Sequence, residues 1–280
     1  MPPADWREGS AVQLTVSGLP VFIYTGGQSF APAQPVVVLL HGAAHDHSVW
    51  NFQARHLARH GFSVLAPDLP GHGRSGGAPL ASIEALADWL ATLLDAAGVR
   101  RAAIAGHSMG SLVALQAAAQ FPDRITQLIL LGSVAPMPVA APLLSAAHDD
   151  RAVAHAMINQ WSYTFASQLG ASAVPGISLM GLNRRLMERQ GDSVLAIDLG
   201  ACNAYENGLA AAAAVRCPTL LLCADRDQMT PRRAVKPLHE ALAGVADGAR
   251  MISIPRAGHA MLAEAPDAVG NAIRSFLTRR

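Results

Sequence analysis

The chain is expected to fold as an open α/β sheet of about eight strands, mostly parallel, with helices on both faces and a helical insertion over its carboxyl edge. Three observations lead there. Short apolar runs alternate with amphipathic helical stretches before residue 134 and again after residue 218. Residues 134–210 interrupt that rhythm and contain no good strand. Finally, Gly106-His107-Ser108-Met109-Gly110 lies between an apolar run and a stretch of good helix formers.

Residues 11–16 and 20–25 alternate apolar and polar character across a short Ser-Gly turn, the pattern of an antiparallel hairpin at a sheet edge. Val36-Val37-Val38-Leu39-Leu40 is a continuous β-branched and aliphatic run, as expected of a strand buried on both faces. Ser48 is placed to cap a helix through Trp50, Phe52 and Leu57, which Gly61 ends. Residues 62–66 form the next strand, and the Gly- and Pro-rich segment 67–77 a loop. Ser82 caps a helix to about Ala97, with Ile83, Leu86, Leu90 and Leu93 or Leu94 on one face.

A strand over Ala102 to Ala105 then leads into Gly-His-Ser-Met-Gly, followed by a helix and a further strand from Ile125 to Leu131. Regular strand–helix alternation implies parallel strands with crossover helices. The segment 134–210 reads as helices broken by Pro136, Pro138, Pro142, Gly170, Pro175, Gly181 and Gly191. It is far longer than the usual connection of about 2–6 residues, so it is expected to have its own fold and purpose. The division is therefore a core of 1–133 and 211–280 and a helical cap of 134–210. A strand over 219–224, a helix from about Pro231, a strand over 250–254 and a last helix over 266–277 complete the core.

Composition narrows the function. Of 280 residues, 51% are hydrophobic and 15% charged, enough apolar material for a large core. The formal net charge is +1 with no block of like charges, which argues against a nucleic-acid or acidic-membrane surface. No apolar run approaches the roughly 18 residues of a membrane helix, and residues 1–8 lack the pattern of a secretory signal. The expectation is a cytoplasmic protein, monomer or homodimer, with a small-molecule partner. Cys202, Cys217 and Cys223 have neither disulfide-framework nor zinc spacing, and Cys217 and Cys223 read as buried thiols beside or within a strand.

The chemistry centres on Ser108. The spacing Gly-x-Ser-x-Gly allows a very tight strand-to-helix turn, because the glycines remove Cβ atoms that would collide. The helix that follows directs free N–H groups and its positive end at the serine. A serine hydroxyl needs a base, and that base an orienting acid. Functional residues in parallel sheets gather at the carboxyl ends of strands. Asp225 and Asp227 follow one such strand, and His259 follows the next. The order Ser, Asp, His is that of the nucleophile-elbow hydrolases.

His41-Gly42-Ala43, the loop Asp68-Leu69-Pro70-Gly71-His72-Gly73-Arg74-Ser75, the elbow, Ala224-Asp225-Arg226-Asp227-Gln228-Met229-Thr230-Pro231 and Gly258-His259 occur in sequence along the chain. In these segments it resembles the α/β-hydrolase fold superfamily, of the kind with a helical cap, over nearly the whole length outside the cap. The resemblance implies a serine hydrolase acting on a carboxylic ester or similar acyl compound through Ser108, His259 and Asp227, without metal or cofactor. It makes Asp225 a turn residue. Some relatives carry the acid after the preceding strand, where Gly132-Ser133 offers no carboxylate. The oxyanion would be held by the N–H of Met109, after the nucleophile, and by that of Ala43 by resemblance. Ser111 departs from the glycine common there and is expected to pack against the neighbouring strand.

Other residues have quieter readings. His107 should point into the packing, and His41 and His72 should bond loop backbone. His56, His60 and His239 read as exposed helix positions. His45-Asp46-His47 lacks a matching ligand cluster and reads as a loop at the pocket mouth, with His45 a substrate-binding candidate. Asp68 and Arg74 should fix their loop, and Arg184, Arg185 and Arg189 a solvated helix face. Trp161, Tyr163, Phe165, Met180 and Tyr205 are candidates either for the substrate pocket or for cap–core packing. The same triad would also serve C–C bond hydrolysis or an enol-lactonase, and a ligand receptor can keep the fold without the chemistry.

Overall fold

A computed structural model describes residues 11–172 and 176–279 of the chain; the amino-terminal segment and Pro175 lie outside the described residues. Eight strands form one sheet: β1 (Ala11–Val16), β2 (Leu19–Tyr24), β3 (Val36–Leu40), β4 (Ser63–Pro67), β5 (Ala102–His107), β6 (Ile125–Leu131), β7 (Thr219–Ala224) and β8 (Arg250–Ile254). Their order is β1-β2-β4-β3-β5-β6-β7-β8. The β1–β2 hairpin is antiparallel, with Ala11 opposite Tyr24, and β2 joins β4 antiparallel through Ile23 and Pro67. From β4 to β8 every pairing is parallel.

The all-apolar strands are explained by the two core layers they serve. Along β3, Val36, Val38 and Leu40 enter one cluster, and Val37 and Leu39 enter the other. Successive side chains of a strand point to opposite faces, so a strand covered by helices on both sides must be apolar throughout. Helix α1 (Asn51–Arg59) belongs to one layer, and α2 (Ile83–Ala96) and α3 (Met109–Gln120) to the other.

Between β6 and β7 the chain leaves the sheet for five helices, α4 (Ala141–Asp149), α5 (Arg151–Ser162), α6 (Phe165–Gln168), α7 (Leu179–Glu188) and α8 (Val194–Ala204). Leu143, Ile158, Met187, Leu195 and Leu199 from these helices close on Ala44 of the loop after β3. Helix α9 (Gly208–Ala214) then joins the α2–α3 layer through Ala211 and Ala212, so residue 210 falls inside a helix that packs with the sheet. Helices α10 (Lys236–Ala241), α11 (Met261–Glu264) and α12 (Pro266–Leu277) complete the chain, and α12 packs beside α1.

One local expectation changes. Ser48 does not cap α1: Asp46 accepts from Ser48 N at 2.9 Å and caps a short 3₁₀ turn, His47–Trp50, that precedes the helix. Phe52 is exposed, because the inward stripe of this segment is Trp50, Ala54 and Leu57 and residue 52 falls on the other side. Ser82 does cap α2, accepting from Ala85 N at 3.2 Å. Among the described residues, no helix is long and apolar enough to cross a membrane.

Candidate active site

The turn after β5 is as tight as its glycines suggested. Ser108 has φ 53° and ψ −122°, in the positive-φ region that side-chain-bearing residues rarely occupy. A Cβ on Gly106 would strike the carbonyl of Gly110, and one on Gly110 would strike the carbonyls of Leu40 and His41. Strand β5, helix α3 and the end of β3 are thereby brought into backbone contact. Ser108 N donates to Leu131 O at 2.9 Å, tying the turn to β6. Ser111 does more than pack: its hydroxyl donates to the Ser108 carbonyl at 2.5 Å.

Asp227 and His259 come from the ends of β7 and β8, and meet. His259 Nδ1 donates to Asp227 Oδ2 at 2.9 Å, with both side chains buried. Asp227 also accepts from Met229 N (2.9 Å), Thr230 N (2.8 Å) and Thr230 Oγ1 (2.7 Å). Burial pushes its pKa up, but the His259 charge and the His259 and Thr230 hydrogen bonds prevail and hold it below the usual carboxylate range. Asp225 is exposed, at the turn out of β7.

His259 Nε2 is buried and has no hydrogen-bond partner among the described residues. It lines one cavity with Ser108, and Ala43, His45, His107 and Trp161 also face that space. The cavity holds about 170 Å³ beneath the inserted helices, with Leu143, Ile158, Leu199 and Cys202 contributing from above. Met109 is the first residue of α3, so its N–H has no acceptor within the helix. Tyr163 is buried and Met180 half-buried, but neither is among the cavity-lining residues; Met180 instead gives its carbonyl to Asn159. Phe165 is exposed, and the buried Tyr205 donates to Gln116 Oε1 at 2.7 Å, so these two serve surface and packing.

The His259 loop is fastened from both sides. His107 Nε2 donates to the His259 carbonyl at 2.8 Å, and burial, aided by the His259 charge, lowers the His107 pKa to about 3, keeping it neutral. Ala260 N donates to Ser162 O at 2.9 Å. Glu264 accepts from Gly258 N at 2.6 Å and, on its other oxygen, from Thr164 N, Thr164 Oγ1 and Ser167 Oγ. Glu264 thus links the loop carrying His259 to α6, a contact no sequence spacing announced.

The remaining histidines and charges mostly hold loops. His41 Nδ1 donates to Gly42 O and its Nε2 accepts from Leu69 N. His72 bonds the Pro70 carbonyl, as expected, and also reaches Asp198. His60 is exposed; His56 and His239 are half-buried, the latter bonded to Ala249 O. Asp68 fixes its loop by accepting from His47 N, His47 Nδ1 and Arg74 N, while Arg74 stacks 4.1 Å from the Phe22 ring centre. Asp46, His47 and Asp68 therefore form a cluster that the sequence left incomplete, since Asp68 arrives from another loop. Arg184 and Arg185 pair with Glu188 on an exposed helix face, whereas Arg189, just past the end of α7, leaves that face to reach the buried Asp46 of the loop after β3 at 2.9 Å. All three cysteines are free; burial raises Cys217 and Cys223 to about 11, and Cys202 unexpectedly faces the cavity.

Sheet order and a strained serine at a strand-to-helix turn define an α/β protein of the nucleophile-elbow class. The alpha/beta hydrolase fold model matches residues 35–266, and the chain belongs to that family. It is similar to Lipase LipV of Mycobacterium tuberculosis, 40% identical over 105 residues, which are 37% of this chain and 40% of the lipase. Protein ABHD8 of Bos taurus is 23% identical over 256 residues, 88% of this chain and 57% of that protein. The chain thus spans less than two thirds of these curated relatives. A hydrolase from Pseudomonas aeruginosa PA01 superposes with a TM-score of 0.82 at 25% identity, over 98% of this chain and all of that one. The enol-lactonase from Burkholderia xenovorans LB400 has the same fold, with a TM-score of 0.81 at 24% identity over 95% of this chain and 100% of its own.

Proposed function

We propose that the chain is a serine hydrolase that cleaves a carboxylic ester or related small acyl compound through Ser108, His259 and Asp227. The observation that carries this reading is the state of His259. Its Nδ1–H is spent on Asp227, leaving Nε2 as an unpartnered acceptor in the cavity that Ser108 lines. A buried acceptor without a partner is costly, and a nucleophile's proton is what would satisfy it.

In this reading Ser108 Oγ bonds to the substrate carbonyl carbon while its proton passes to His259 Nε2. The carbonyl oxygen becomes an anion held by the N–H groups of Ala43 and Met109 at the positive end of α3. Collapse breaks the bond to the leaving group, which takes the proton from His259. Water then attacks the acyl-enzyme, giving its proton to His259; Ser108 recovers that proton as the acid departs. Asp227 keeps His259 in the Nδ1–H tautomer and stabilises its cation. The inserted helices of 134–210 serve as a cap domain over a core of 1–133 and 211–280, and no nucleic-acid or membrane partner is required.

The test is a fluorophosphonate probe together with a short p-nitrophenyl ester. Wild-type protein should be labelled at Ser108 and hydrolyse the ester, and Ser108→Ala should do neither. Undiminished turnover by the alanine variant would sink the assignment. Lactones and ring-fission dienones in the same panel decide which bond is cut.

A further inference from the structure

Two features of the cavity bear on what it can hold. None of the described residues lining it is Asp, Glu, Lys or Arg. Its titratable walls are histidines and the Cys202 thiol, and burial lowers the pKa of both His45 and His107 while raising that of Cys202. A substrate carboxylate would lose its hydration there with no cation to replace it.

The second feature is a hydrogen-bond chain whose direction is fixed at one end. The carbonyl of Met180 can only accept, so the atom facing it at 3.1 Å is Asn159 Nδ2. That orientation turns Asn159 Oδ1 toward Asn183 Nδ2, at 2.8 Å. Asn183 Oδ1 must then accept, and it meets His45 Nε2 at 2.7 Å. His45 consequently carries its proton on Nε2, and Nδ1 is a bare lone pair. Nδ1 has no hydrogen-bond partner among the described residues. The imidazole that bears it lines the cavity two residues beyond Ala43.

We propose that the substrate is an uncharged ester or lactone bearing a hydroxyl that donates to His45 Nδ1, so that His45 selects hydroxylated over plain acyl compounds. This rests on the serine-hydrolase reading above. Asn183 and Asn159 are positioning residues: they set the tautomer that makes His45 an acceptor toward the cavity.

The experiment compares kcat/KM for ethyl butanoate, its hydroxybutanoate counterparts with the hydroxyl on each acyl carbon in turn, and the anion of monoethyl succinate. In the wild type, one hydroxy ester should exceed ethyl butanoate by about tenfold, the scale of one hydrogen bond to a group otherwise left unpaired. Monoethyl succinate should fall at least about a hundredfold below ethyl butanoate. His45→Phe should bring the ratio of hydroxy to plain ester to about one, and His45→Gln, whose amide oxygen can accept, should retain part of it. A wild-type ratio near one at every hydroxyl position overturns the proposal, as does a ratio unmoved in His45→Phe or an anion turned over as well as the neutral esters. If His45→Phe does not fold, the wild-type ratios and His45→Gln decide. Absence of both fluorophosphonate labelling and ester turnover in the wild type removes the serine-hydrolase reading itself, and this one with it.

Discussion

Asp198, on an inserted helix, lies 2.8 Å from His72, in the loop after β4, and both side chains are 1% exposed. His72 donates from Nε2 to Asp198 and from Nδ1 to the Pro70 carbonyl, so both ring nitrogens face acceptors. Burial disfavours its cation, but Asp198 and these hydrogen bonds prevail and raise its pKa above 6.5. The same Asp198 Oδ2 accepts from Ala44 N at 2.8 Å, where Ala44 sits at φ 51° directly after Ala43. One carboxylate therefore fastens the insertion to two core loops and holds the residue next to the proposed oxyanion donor.

Asp198→Asn should cost about 3–5 kcal/mol, the usual consequence of removing one partner of a buried ion pair. Because the pKa of His72 is raised on folding, the pair's contribution is complete below the unfolded value of 6.5 and fades as pH rises through the folded value. Urea unfolding of both proteins across that range should show the gap narrowing toward alkaline pH. A gap that widens there would contradict the pairing. In ester assays kcat should fall more than KM rises, since Ala44 adjoins Ala43, whose N–H is the proposed transition-state contact.

Asp227→Asn should leave the fold intact and lower kcat by about ten-thousandfold, because an amide can donate to Nδ1 and favour the wrong imidazole tautomer. Asp225→Asn should change kcat by less than about twofold, its side chain being exposed and outside the cavity. Equal losses in the two variants would undo the choice between these neighbours. The depressed pKa of Asp227 also adds stability above its unfolded value of 3.8, lost as pH falls through the folded value.

Gly110→Ala and Gly98→Ala separate close approach from conformational freedom. A methyl group at 110 would strike backbone carbonyls of β3 and its loop, and should destabilise by about 1–3 kcal/mol or more through overpacking. At Gly98 the space is open but φ is +66°, so the cost should be nearer 1 kcal/mol. Thermal melts of the two variants read the difference directly; similar losses would mean the elbow is not held by contact.

Much of this molecule could be read from local pattern. Apolar runs bounded by Gly and Pro located β3 to β8, and β6, β7, β8 and α12 begin and end where the periodicity does. The turn around Ser108 was legible because steric demand writes itself into adjacent residues, as glycines. The Ser, Asp, His order was legible because parallel strands deliver their carboxyl ends to one edge.

What spacing could not supply was any contact between side chains from distant elements. Asp198 and His72 are separated by 126 residues, and nothing local marks that aspartate as the partner of that histidine. The tautomer of His45 is set from a helix 138 residues away, and Tyr163 and Met180 miss the cavity while Cys202 and Leu199 reach it. Periodicity tells which face of a helix is apolar, but where that helix is laid down depends on packing against surfaces the chain itself assembles. The sequence alone thus determined the sheet, the elbow and the residue types proposed for the chemistry; the shape and polarity of the space they line were decided only by tertiary packing.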